Sequence, residues 1–139
     1  VKNKLIACRE IACIVLLLCF FLPLSKCSET QEDGSITSDY IFAFDHFTVV
    51  LNEVSGEPAI DVSELPLLLV TLVVFFVPAA LWKLKPKIQA SIQMTLAIPA
   101  EGLLYDWATV GDPQIGGVLA ILCWLVLFII ALMQIWRVF

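Results

Sequence analysis

A chain of 139 residues that is 60% hydrophobic, 15% charged and has a mean hydropathy of +0.96 lies well outside ordinary soluble composition. A soluble domain of this length cannot hide so much apolar surface, so the long apolar stretches between short polar links read as one integral membrane domain, 1–139. The net charge of −5 is segregated: seven of the eight basic residues flank apolar stretches, and nine of the thirteen acids lie between Glu29 and Glu64. That separation excludes a nucleic-acid binder, which needs a basic face, and fits a chain sorted by a bilayer.

The sequence predicts an all-α four-span helical bundle. The first span, about residues 5–24, contains an uncharged run from Ile11 to Leu24, preceded by Lys2, Lys4 and Arg9. Arg9 snorkelling towards the cytoplasm would give roughly 30 Å of helix. The same shape also describes a secretory signal cleaved after Cys27. Lys26, directly before Cys27, argues against a lipoprotein signal.

An external loop, residues 25–64, follows. Ser28 to Ser38 is acidic and polar and reads as mobile. Tyr40 to Leu51 is apolar and aromatic, and Ser55-Gly56-Glu57-Pro58 is a turn signal. Tyr40 to Leu51 pairs with Ala59 to Val62 as a short hairpin, forms an interfacial helix or stays disordered; as an apolar patch it is expected to cover the membrane surface, the bundle or a partner.

The second span, 65–82, covers roughly 27 Å. Pro66 sits in its first turn, whereas Pro78 lies inside and kinks the helix or frees a carbonyl for a neighbour to satisfy. The cytoplasmic turn 83–87 carries Lys83, Lys85 and Lys87, which fix orientation and attract anionic headgroups. The third span, 88–107, is the weakest, because Gln89, Gln93, Pro99, Glu101 and Asp106 oppose about six strongly apolar residues. It inserts between the other helices, with Ala90, Ala97, Ala100 and Gly102 permitting close approach and the glutamines bonding across the interface.

The last span, 115–136, is free of charge from Ile115 to Met133. Asp112 and Pro113 read as N-cap and first-turn proline, and Trp136 and Arg137 as interface anchors. Gly116, Gly117 and Ala120 form a small-residue face for helix packing, within the chain or in a homodimer. One orientation satisfies every link except Lys26: both termini cytoplasmic and loop 25–64 external. Val1, as an alternative bacterial start codon or a trimmed terminus, tilts the locale to a bacterial inner membrane.

Chemical motifs are scarce. His46 is the single histidine, and the five cysteines show no Cys-x-x-Cys spacing, so no cofactor, metal or catalytic residue is assigned. Cys13, Cys19 and Cys123 read as small apolar residues in the membrane; Cys27 is the one thiol on the oxidising side. Glu101, with Gln89 and Gln93, is the candidate intramembrane polar site, unless Glu101 is solvated at the outer interface. The reading is a non-enzymatic membrane protein acting by association with itself or a larger membrane complex. The rival is an ion- or proton-coupled transport component centred on the polar third span.

Overall fold

The structure, a computed structural model, describes residues 2–45 and 64–136. Four helices run through these residues: α1 (Lys2–Cys19), α2 (Glu64–Ala80), α3 (Pro86–Thr109) and α4 (Ile115–Trp136). A short 3-10 turn, Leu81–Lys83, extends α2. Three strands, β1 (Pro23–Thr30), β2 (Ile36–Phe42) and β3 (Asp112–Pro113), form an antiparallel sheet in the order β2-β1-β3.

The chain is therefore mostly helical but not all-α. Two helices, Leu65–Lys83 and Ile115–Trp136, are long and apolar enough to cross a membrane. α1 and α3 carry too many polar and charged residues to meet the same measure, Arg9 and Glu10 in one, Glu101 and Asp106 in the other.

The core follows from helical periodicity. On α1, Arg9, Ala12, Cys13, Leu16, Cys19 and the following Phe20 are buried, the spacing of one helical face. On α3 the buried seam is Gln89, Gln93, Ala97, Ala100, Leu104 and Ala108. On α4 it is Gly116, Ala120, Trp124, Leu127 and Ala131, with Gly117, Cys123 and Ile130 beside it. Because both seams are rich in small residues, α3 packs along α4 as its principal neighbour. α1 covers another side of α4, and α2 leans on α1.

Pro78 shows how local chemistry sets a tertiary contact. A proline at that position has no N–H for the Val74 carbonyl four residues earlier. The Trp124 indole Nε1 of α4 donates to that carbonyl at 3.1 Å, and both residues are buried. The carbonyl freed by Pro78 is thus satisfied by a neighbour, one of the two outcomes the sequence implied.

The first segment ends earlier than its predicted boundary at residue 24. α1 stops at Cys19, Phe20 to Leu22 make turn hydrogen bonds, and Pro23 opens β1. Pro23 lacks the N–H a helix would need and disfavours helical backbone at Leu22, which accounts for the stop.

The stretch expected to be mobile, Ser28 to Ser38, is instead the end of a hairpin. Its strands pair from Pro23 opposite Phe42 to Thr30 opposite Ile36. Gly34, at φ 82°, closes the turn by donating to the Gln31 carbonyl at 2.9 Å. The Asp33 carboxylate accepts from the Ser35 amide at 2.8 Å and the Ser35 hydroxyl at 2.6 Å. Tyr40 to Phe42 pair backwards onto β1, and the alternative pairing with Ala59 to Val62 falls outside the described residues. Lys26, the cation that broke the charge pattern, lies 5.5 Å from the centre of the Tyr40 ring.

Asp112 and Pro113 do not cap α4. They form β3, opposite Lys26 and Ser25, and Gln114 is the residue before the helix, its amide donating to Leu24 O at 3.1 Å. The sheet thereby ties together the ends of α1 and α3 and the start of α4. The lysine-bearing turn lies at the opposite end of α3, about 36 Å away for 24 residues at 1.5 Å each.

Candidate functional site

Two polar features interrupt the apolar bundle. The first lies towards the lysine end. Gln89 and Gln93 sit one turn apart on the buried seam of α3, at 1% and 0% exposure. From α1, Arg9, 7% exposed, donates through Nη1 to Gln89 Oε1 at 2.7 Å. Since α1 and α3 are not close-packed neighbours, this long side chain reaches across the bundle rather than along a helix seam.

Arg9 does not snorkel, contrary to the sequence reading. It turns inward because Gln89 offers an acceptor and because Arg9 falls on the same helical face as Ala12, Cys13 and Leu16. Among the described residues no carboxylate pairs with it. The nitrogen Nε2 of Gln89 and both amide atoms of Gln93 are buried without a hydrogen-bond partner. A guanidinium only donates, so it fixes the Gln89 amide with oxygen towards Arg9 and leaves the nitrogen free.

The second feature is Glu101, two turns further along α3. It lines an open groove of about 460 Å³ whose other walls are Ala97 and Ile98 of α3 and Ile121, Leu125 and Phe128 of α4. One carboxylate oxygen, Oε1, is buried with no partner among the described residues. The eight residues from Gln93 to Glu101 separate them by about 12 Å and rotate Glu101 by roughly 80° from the glutamine face. Glu101 and Gln93 therefore do not pair: the three residues singled out together divide into an interior pair and a groove-lining acid.

Lys83, Lys85 and Lys87 are exposed, and Trp136 is exposed at the end of α4. Arg137 and His46 lie outside the described residues. Gly116, Gly117 and Ala120 are buried inside the chain. A Cβ on Gly116 would meet the Pro23 carbonyl oxygen at 2.6 Å, and one on Gly117 would meet the Leu24 carbonyl oxygen at 2.6 Å and Ala108 Cβ at 3.0 Å. These glycines therefore let α4 approach the β1 backbone and α3. Gly102, expected to serve close packing, is exposed, and a Cβ there would meet nothing within 4 Å.

Arg9 is the site residue that sequence reasoning missed. Its signal was present: it stands four residues before Cys13 and seven before Leu16, on what becomes the core face. Among the described residues no three His, Cys, Asp or Glu side chains converge as a metal-holding group, and the cysteines are free thiols. Comparison with known proteins returns no significant match to a family model, a curated protein or a solved structure.

Proposed function

We propose that this is a four-span protein of a bacterial inner membrane that works by association: it receives a helix of a second membrane protein in the groove beside Glu101. Both termini lie in the cytoplasm and the hairpin outside. The whole-bundle surface supports the membrane assignment, because the outward faces of all four helices carry large apolar side chains: Leu18 on α1, Leu69 on α2, Ile98 on α3 and Leu122 on α4. A soluble bundle would place polar residues there. The two less apolar helices insert with the other two: Arg9, Gln89 and Gln93 turn inward, and the exposed Ser91, Thr95 and Thr109 hydroxyls donate to backbone carbonyls of their own helix.

The observation that carries the association reading is the Glu101 carboxylate, one oxygen buried and unpaired, at the wall of an otherwise apolar open groove. In hydrocarbon an acid is retained where a donor meets it. An incoming helix with a basic, hydroxyl or amide side chain supplies that donor, and its apolar residues fill the space against Ile121, Leu125 and Phe128. Glu101→Leu keeps the bulk and removes the acceptor. It should weaken the complex by about 1–2 kcal/mol, roughly five- to thirtyfold, in crosslinking and native mass measurements from mild detergent. Recovery of monomer alone from wild-type membranes would overturn the reading; a homo-oligomer sensitive to Glu101→Leu would make a second copy the partner.

A transport component is the second reading, favoured by polar groups spread along α3 from Gln89 to Glu101. It requires that Glu101→Gln abolish flux in reconstituted vesicles while leaving assembly largely intact.

A further inference from the structure

We propose that the interior of the bundle between Arg9, Gln89 and Gln93 is a binding site for a small monovalent anion of the chloride class. Two independent observations converge on it. The first is charge: a guanidinium only 7% exposed has one neutral acceptor, Gln89 Oε1 at 2.7 Å, and no carboxylate ion pair among the described residues. A buried cation without a counter-charge is costly, and that cost falls when a counter-ion joins it.

The second observation is an excess of donors without partners. Gln89 Nε2 and Gln93 Nε2 are both buried and unpartnered, one helical turn apart on the face that Arg9 reaches. Guanidinium and two carboxamide N–H₂ groups are a donor set for an anion. Gln93 Oε1, also unpartnered, is the one acceptor and can turn away by a flip of the amide.

Enclosure selects the kind of anion. Gln93 and Gln89 are 0% and 1% exposed, so a ligand must shed its water to enter. Desolvation cost rises with the square of the charge, which disfavours sulfate or hydrogen phosphate, and the single guanidinium balances one negative charge. The location also suits capture, since Gln89 lies in the first turn of α3, just after the exposed Lys85 and Lys87, which raise the local anion concentration.

The test is thermal unfolding of the full chain in neutral detergent at constant ionic strength, replacing gluconate stepwise by chloride, with sulfate and an anionic lipid as separate arms. Wild type should show a saturable rise in Tm of about 3–8 °C with chloride, following mass-action stabilisation by a ligand of the folded state. Sulfate should give no saturable rise. Arg9→Gln should lose the response, and Gln93→Leu should weaken it at least about tenfold in midpoint.

Gln89→Glu is the decisive variant because it builds a carboxylate onto the atom Arg9 already contacts. It should be as stable without chloride as wild type is with it, and insensitive to chloride thereafter. A wild-type Tm indifferent to chloride, or a response unchanged in Gln89→Glu, would overturn the proposal and leave ordered water as the occupant. A response only to anionic lipid would overturn it in favour of a headgroup at the lysine end.

Discussion

Pro78 withdraws a donor from α2, and Trp124 replaces it from another helix, so the two residues form one energetic unit although 46 positions separate them in the chain. Trp124→Phe keeps an aromatic ring in the core and removes the N–H. It should cost about 1 kcal/mol in mixed-micelle unfolding, most of it from leaving the Val74 carbonyl unpaired. In a Pro78→Ala background the helix supplies its own N–H to Val74, so the same Trp124→Phe change should cost measurably less. Equal costs in the two backgrounds would show that the indole acts by packing alone. Asp33 offers a test outside the bundle. Its two hydrogen bonds from Ser35 hold its carboxyl below the ordinary 3.8, because both favour the charged form. A folded value below the unfolded one means that its contribution to the turn is complete above the unfolded value and disappears as pH falls through the folded one. An NMR titration should therefore place the Asp33 midpoint below 3.8, with the Ser35 amide shift moving in step; separate midpoints would detach the carboxylate from the turn.

At the scale of elements, glycines sort by what surrounds them. Gly116→Ala and Gly117→Ala each drive a methyl against backbone carbonyls of β1 at 2.6 Å and should each lower stability by about 1–3 kcal/mol. Gly102→Ala, in a helix interior with open space around it, should raise stability by about 0.5–1 kcal/mol through helix propensity. Unfolding midpoints of the three variants check the contrast, and uniform losses would contradict it. The same glycines show what the sequence made legible. Small residues announced close packing on α4, but spacing alone does not identify the partner, which is the β1 backbone as well as a helix. The helices were legible because apolar runs and flanking lysines carry strong signals, as in the charge-free run that opens α4 at Ile115. The hairpin was not, because Lys, Glu and Asp, which disfavour strands, interrupt both segments and because the sheet spans tertiary distance: β3 arrives from residues 112–113. Asp33-Gly34 was the available signal, a turn dipeptide between segments able to pair. The polar site was half legible for a related reason. Composition located Gln89, Gln93 and Glu101, yet only the helical rotation of about 100° per residue separates the acid from the glutamines, and only the fold brings Arg9 across to them.

For the whole molecule, the sheet and the lysine turn terminate opposite ends of α3, about 36 Å apart, slightly more than the roughly 30 Å of a hydrocarbon core. A bundle crossing the bilayer must therefore display these two ends to different compartments, and in the proposed orientation the basic turn sets the sense, by the tendency of lysines to stay on the cytoplasmic side. Two exposed positions make this measurable: Thr30 at the end of β1 and Lys85 in the basic turn. With Cys8 and Cys27 replaced by serine, Thr30→Cys should react with a membrane-impermeant maleimide on intact cells. Lys85→Cys should react only after permeabilisation. The buried Cys13, Cys19 and Cys123 supply the common background in both variants. Labelling of Lys85→Cys alone in intact cells would invert the orientation, so that the basic turn failed to set it. Labelling of both sites from one side would place the ends of α3 in one compartment, and the bundle would then lie on the membrane rather than through it. The Glu101 groove depends on the same result, because its unpaired carboxylate oxygen is costly enough to demand a partner only if Ile121, Leu125 and Phe128 face lipid instead of water.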